Sequence, residues 1–435
     1  MAFGGGTFTV MNKVLPGTYI NFNTTGVGAI DTTVEGVVAM PLELDWGASD
    51  TVMQITRSEA LTNAVKLFGY DYTHEKLKGI REVFRNAATL IGYRVNGGGV
   101  KAANTYATAK YTGTRGNDIT IIIKTNVDDE TKFDVQTAFA GNVVDTQTVA
   151  TAAALVNNDF VDFKTDATLA VTAGTPMTGG SNVSPTGAQY SAFLDAISTY
   201  QFNIVACATT DEATKAMIAS FAEEMRENVG VKFQAVLYSH AADYEGVINV
   251  KNTVTDVGAN AASLVYWVAG LCASKAVNES AMNDVYNGEF SVDTSFTQAQ
   301  LSAARANGEF TLHLVGDEVR VLYDINSLTS ISDTKGDVFK ENQTIRVIDY
   351  IGNAIASIFN SSYIGTVPND EAGRSALWTD IYTLNQGLAN IRAIDEFDED
   401  SLTVSEGNTK RAVIVTETIT LVGTMEQLYM TVTVE

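Results

Sequence analysis

The chain is poor in the residues from which catalytic and metal sites are usually built. Its 435 residues include 3 histidines, 2 cysteines and 5 prolines. His74, His240 and His313 are scattered, and none lies near another His or Cys at ligand spacing, which excludes the common zinc signatures. Cys207 and Cys272 make no disulfide framework. Each sits in an apolar run, where a buried, reduced thiol is expected, and reduced thiols fit synthesis in a cytoplasm. Basic residues are also scarce: 28 Lys and Arg stand against 51 Asp and Glu, a net charge of -23. That balance argues against nonspecific binding to nucleic acid or to anionic membrane. The most membrane-like stretch, 259–276, is interrupted by Asn260, Ser263 and Ser274 and falls short of the ~20 apolar residues a span needs. It reads as a buried core helix. Residues 1–10 lack the basic start and apolar core of a signal peptide.

Nucleotide and acyl-transfer motifs are missing as well. There is no phosphate-cradling G-x-x-x-x-G-K-[ST] loop, no G-x-G-x-x-G fingerprint and no G-x-S-x-G elbow. Ser239 and His240 are neighbours in sequence only, whereas a catalytic triad is defined by geometry. Asp128, Asp129 and Glu130 read as the solvated tip of a hairpin, with a bound cation as the other reading. Residues 395–400 form the densest acidic run, read either as a solvated loop or as an ionic contact to another subunit. The expectation is therefore a protein with no catalytic, cofactor-binding or metal site.

What is present is globular material. Hydrophobic residues make up 45% and charged residues 18%, and 435 residues are too many for a single core. Periodicity predicts strands at 34–40, 90–95, 107–111, 119–125, 133–139 and 160–164, and helices at 58–68, 74–86 and 149–157. Gly97-Gly98-Gly99 and the Gly/Pro/Ser/Thr-rich 174–187 bracket a β-rich insertion. A strand at 202–208, a helix at 212–228 opened by a capping box from Thr209 to Glu212, and a strand at 231–238 spell a parallel α/β sheet. Gly316-Asp317 reads as the turn of a hairpin, and two further helices are expected at 342–359 and 373–390.

The ends of the chain are the informative part. Residues 1–28 form a Gly-rich, extended arm, and the last residues contain two strand-like stretches, 410–422 and 427–434, with no obvious partner nearby. A charge-poor edge strand is a template for pairing with another chain. The fold class expected is α/β (α+β) multidomain, a mixed α/β domain plus a β-rich insertion, with N- and C-terminal arms donating strands between subunits. The expected inter-subunit positions are Thr18, Tyr19, Ile20 and Phe22 in the first arm, then Val413, Val415, Ile419, Leu428, Tyr429, Met430 and Val432. The boundaries expected are 1–29 (arm), 30–99, 100–182 (peripheral insertion), 183–340 (α/β) and 341–435, with 30–99 and 341–435 forming one inner domain.

Several stretches resemble the contractile-tail sheath proteins of Bacillus- and Clostridium-type phages and prophages, including R-type bacteriocins. They are 110–119 (Lys-Tyr-Thr-Gly-Thr-Arg-Gly-Asn-Asp-Ile), 243–250, 267–270, 324–328, 363–374 and 425–434. The resemblance implies a structural subunit of stacked hexameric rings around a tail tube, which contracts to drive the tube through a bacterial envelope. Implied partners are other copies in a helical array, the tube protein, and baseplate and terminator proteins, with no nucleic acid and no direct membrane binding. The implied location is the particle tail, assembled in the host cytoplasm and released. Where relatives often carry a basic residue after the glycine of the Tyr-Ile-Gly stretch, this chain has Thr366, so no tube contact is assigned there. In so acidic a chain, Arg374, Arg392, Lys410 and Arg411 stand out as possible contacts to an acidic tube. Local pairing with Asp380, Asp395 or Glu396 is their other reading. The alternatives in function are another self-assembling phage protein, tube- or capsid-like, or an α/β enzyme.

Deleting residues 1–23 should leave a folded, soluble monomer that no longer polymerises. Negative-stain imaging checks this, and full-length tubes from the truncated chain would refute the role of the first arm.

Overall fold

The computed structural model describes residues 36–434. The first-arm positions Thr18, Tyr19, Ile20 and Phe22 lie outside the described residues. The described chain divides into two compact units, one of 36–38, Arg85–Ala88 and 199–434, the other of Ala39–Phe84 and Thr89–Ser198. This grouping places most of 30–99 with the β-rich segment, whereas the expectation joined 30–99 to 341–435.

In the second unit, Val52–Thr56 and Thr89–Arg94 pair antiparallel, from Val52 opposite Tyr93 to Thr56 opposite Thr89. Thr56 then opens the helix Arg57–Thr62 with a reciprocal capping box to Glu59, which satisfies two otherwise orphaned N–H groups. The single helix expected at 58–68 is broken at Asn63, a poor helix former that caps both Arg57–Thr62 and Ala64–Phe68.

The β-rich segment holds a four-stranded antiparallel sheet, ordered Thr172–Pro176, Ile119–Thr125, Phe133–Phe139, Asn142–Val149. Strict alternation explains its inner face, since Ile119, Ile121 and Ile123 are all fully buried while the residues between them turn outward. A smaller sheet joins Lys101–Ala103, Ala107–Thr112 and Val161–Phe163. Two expectations are corrected here. The helix expected at 149–157 is only one 3-10 turn, Ala152–Ala154, and the strand Asn142–Val149 was not foreseen. The Ala-rich stretch is held instead by side chains that capture backbone groups. Gln147 bonds both N–H and C=O of Val156, and Asn158 accepts from the N–H groups of Phe160 and Val161, an alternative that polar side chains offer to helix formation.

The core of this segment is completed by a residue from outside it. Trp46 is fully buried, with Tyr111, Phe139 and Phe160 rings at centroid distances of 5.2, 5.5 and 6.3 Å. Buried Arg94 donates to the carbonyls of Leu44, Gly47 and Thr112 at 3.0, 2.8 and 2.9 Å. Burial pulls its pKa down to about 10. Within the stretch 110–119, Gly113 has φ +125°, and a Cβ there would meet the Asp45 carbonyl oxygen at 2.0 Å. Arg115 donates to the Gly69 carbonyl at 2.7 Å and lies 4.4 Å above the Tyr70 ring. That signature is therefore a structural staple.

In the first unit, Gln234–Tyr238 lies between Ile204–Cys207 and Val247–Val250, all three parallel. Every residue of the three strands except Tyr238 is at least nine-tenths buried, as a sheet covered on both faces requires. The helix Glu212–Glu224 is capped by Asp211, whose carboxylate accepts from the Thr214 N–H at 2.8 Å. Thr209, expected as the cap, instead accepts from the Asp211 N–H. Gly230 closes the following π-turn at φ 86°. Leu264–Ser274 is a core helix, and Leu312–Val315 with Glu318–Val321 forms the hairpin turned at Gly316-Asp317.

The helix Asn342–Ile358 is tied to the parallel sheet by a buried ion pair. Arg226 meets Asp349 through two bonds of 2.5 and 2.7 Å and also donates to the Phe233 carbonyl at 2.6 Å. Breaking such a pair leaves an uncompensated charge, whereas replacing both partners by apolar residues costs little. Asp349→Ala should lower unfolding free energy by about 3–5 kcal/mol, and Arg226→Met with Asp349→Leu should restore most of it. Urea unfolding of the two variants checks the sign.

Candidate assembly surface

The C-terminal region is built from two helices and a hairpin. Helix Glu371–Asn390 begins at Asp370, whose carboxylate accepts from the Gly373 N–H. Its apolar face, Leu377, Ile381 and Leu388, packs with Val347 and Ile351 of the preceding helix and with Phe397 and Leu402. Leu402–Glu406 and Val413–Glu417 pair antiparallel, from Leu402 opposite Glu417 to Glu406 opposite Val413. The stretch expected as a strand at 410–422 is thus shorter, and its partner lies in its own chain just upstream. Local pairing was hidden because 395–406 is rich in acidic residues, while Trp378, whose indole N–H donates to the Leu402 carbonyl at 2.9 Å, supplies the anchor from a distant helix.

Beyond the hairpin the chain is held for a few more residues. Ile419 is buried in the same core. The Asp395 N–H donates to Thr420, the Val422 N–H to Ala393, and Leu421 bridges Ile394. The Thr424 N–H reaches Gln343 at 3.3 Å. Glu426 is the last anchored residue, paired at 2.9 Å with Arg305, which also binds Glu341. Burial pushes the Glu341 carboxyl up to about 7, against the pull of Arg305.

After Glu426 the chain has no strand partner among the described residues. Leu428, Tyr429, Met430, Val432 and Val434 are 85%, 88%, 74%, 68% and 88% exposed, and no strand forms over 427–434. In an extended conformation Leu428, Met430, Val432 and Val434 share one face. The sequence-expected positions therefore divide. Val413 and Val415 sit in a hairpin of their own chain, Ile419 is core, and Leu428, Tyr429, Met430 and Val432 stand free of it.

The four cations divide too. Arg374 donates to the backbone and side-chain oxygens of Asn369, and Asn369 in turn donates to the carbonyls of Lys410 and Ala412. Arg374 is thereby brought to the hairpin turn that carries Lys410 and Arg411. Arg392 follows the other end of the 20-residue helix, roughly 27 Å away at 1.5 Å per residue. Lys410, Arg411 and Arg392 are exposed. Among the described residues none of the four makes an ion pair, so pairing with Asp380, Asp395 or Glu396 is not seen; Asp380 accepts from the Tyr363 hydroxyl at 2.5 Å. Asn369 was not foreseen, and nothing in its local sequence marks it.

Among the described residues no group of three or more His, Cys, Asp or Glu could hold a metal ion. No helix there is long and apolar enough to cross a membrane.

Four family descriptions cover the chain in order: tail sheath protein Gp18 domain III N-terminal region at 35–95, phage tail sheath protein beta-sandwich domain at 97–182, phage tail sheath protein central domain at 184–327, and phage tail sheath C-terminal domain at 334–435. The solved sheath tail protein of Desulfitobacterium hafniense is 37% identical, with a TM-score of 0.83 over 95% of this chain and 99% of that one. The chain belongs to the phage tail sheath family. The sheath subunit is also 31% identical to the phage-like element PBSX protein XkdK of Bacillus subtilis (strain 168), over 99% of each chain. In fold alone it is like the contracted helical sheath of the anti-feeding prophage, at 13% identity and a TM-score of 0.56, covering 98% of this chain and 99% of that one. It is a structural protein of phage-type tails, not an enzyme.

The two kinds of C-terminal position should separate in the free subunit. Ile419→Ala should cost about 2–4 kcal/mol. Leu428→Ala with Met430→Ala should stay within about 0.5 kcal/mol of the parent. Thermal unfolding of both variants at one pH checks this.

Proposed function

We propose that the subunit polymerises as stacked hexameric rings around a tail tube and that the array contracts to drive the tube through a bacterial envelope. The observation that carries this reading is the exposed, alternating apolar segment 427–434, which has no strand partner among the described residues. A strand of this kind is completed by the sheet edge of another copy, and the hairpin Leu402–Glu406/Val413–Glu417 offers such an edge. The contracted sheath of the anti-feeding prophage is alike in fold, and passage of such an array from an extended to a contracted form is a two-state, rigid-body change. The C-terminal region, 341–435, faces the tube in the assembled array. Baseplate and terminator proteins bound the stack at its two ends. The particle is assembled in the host cytoplasm and released with it as a tail component.

The basic group of Arg374, Lys410 and Arg411 is the tube contact of this reading, with Arg392 a separate, weaker one. A chain of net charge -23 leaves few places where an acidic tube could dock, and these cations make no ion pair among the described residues. Arg374→Glu with Lys410→Glu should block loading on tubes and leave tube-free polymerisation intact, while Arg392→Glu should have the smaller effect. Sedimentation with purified tubes measures both. Loading by the parent should also weaken as salt rises, and normal loading of the double variant would remove this contact from the mechanism.

A further inference from the structure

Glu417 closes the strand Val413–Glu417, opposite Leu402. Its Oε2 accepts one hydrogen bond, from Nδ2 of Asn385 at 2.9 Å. Asn385 is fully buried in helix Glu371–Asn390, and its own carbonyl oxygen is buried with no donor within reach among the described residues. A carboxylate only accepts, so it cannot relieve that oxygen. A carboxylic acid can: its O–H donates to Asn385 Oδ1 while its C=O accepts from Nδ2. One proton thus satisfies the orphaned acceptor and removes a charge from an apolar junction.

We propose that Glu417 is a proton-dependent clamp, held as a neutral acid in a two-bond pair with Asn385, which sets how firmly the C-terminal hairpin is fastened to helix Glu371–Asn390. The electrostatics agree with the geometry. Burial pushes the Glu417 carboxyl up to about 7, and only the Asn385 bond works in the other direction. The titratable groups of the packed elements are Glu371, Arg374, Asp380 and Tyr382 on the helix, Glu406 on the partner strand, and Asp398, Glu399 and Asp400 before it. None of them acts on Glu417. Arg374 is turned to Asn369, and Asp380 to Tyr363.

The sign follows from linkage. A carboxyl whose folded pKa is raised contributes its full hold below the unfolded value of 4.5, loses it as pH rises to about 7, and changes little above. The hairpin is therefore fastened most firmly in acid. The consequence for the lattice rests on the reading above, since this hairpin is the root from which the donated segment 427–434 departs. Contraction or assembly would then proceed from a stiffer root as pH falls.

The test uses the free, full-length subunit, so that it does not depend on assembly. Glu417→Gln keeps the shape, its amide can donate to Asn385 Oδ1, and it does not titrate. Hydrogen exchange of the hairpin 402–417, corrected for the intrinsic rate, should give equal protection for parent and variant near pH 4.5. The parent should then fall behind by up to about a hundredfold by pH 7, with no further divergence above. A carbon-13 titration of the parent Glu417 carboxyl should have its midpoint near 7 and serves if the variant does not fold. Parallel exchange curves, or a midpoint near the ordinary glutamate value, would overturn the clamp and leave the sheath reading standing. The expected titration in a chain that never polymerises would establish the clamp and count against the sheath reading alone.

Discussion

A peptide segment with unmet hydrogen-bonding groups on both edges and apolar side chains on one face is unstable in water, and residues 427–434 are such a segment. Each N–H and C=O of an isolated strand bonds only to solvent, and the alternating Leu428, Met430, Val432 and Val434 remain wet. Nothing among the described residues corrects this, because the last anchors, Gln343 to Thr424 and Arg305 to Glu426, come just before it. Burial of these side chains against another copy would be worth on the order of 1.5–3 kcal/mol each, with a ladder of backbone bonds in addition. Under the proposed function, assembly would supply the interactions that this segment lacks. The monomer can nevertheless stay soluble, since its net charge of -23 opposes chance association.

That charge imposes a second condition. Copies that repel one another must be held by short-range contacts, and the cations not spent within the fold become informative. Most basic groups are consumed internally. Arg94 holds three backbone carbonyls, Arg226 holds Asp349, and Arg305 holds Glu341 and Glu426. Among the described residues Arg374, Lys410 and Arg411, gathered by Asn369, make no ion pair, nor does Arg392. The same region contains two carboxyls, Glu341 and Glu417, raised to about 7 by burial. Burial thus makes this region sensitive to pH near neutrality.

How much of this was legible in the residues depends on the range of the interactions involved. The strands at 119–125 and 133–139, the helices at 342–359 and 373–390 and the hairpin at Gly316-Asp317 follow from periodicity and turn chemistry, which are local. The errors share one cause. Residues 149–157 look helical by composition, yet Gln147 and Asn158 capture their backbone from either side. The stretch 410–422 reads as a lone terminal strand, yet Trp378 and the core around Leu402 bring a partner to it.

The sequence by itself determined the class of protein. The scarcity of His and Cys, the missing phosphate and nucleophile motifs, the acidic balance and the strand-like ends are properties of residue type and order, and they survive any arrangement of the chain. Tertiary structure decided which of those features are used. It buried Ile419 and left Met430 exposed, although both belong to similar apolar stretches. It put Arg374 beside Lys410 and Arg411 while leaving Arg392 at the far end of a helix. It also buried Glu417 against Asn385, and that burial pushes the carboxyl up to about 7. Burial and proximity between residues tens of positions apart have no local signature, because each depends on how the whole chain folds back on itself.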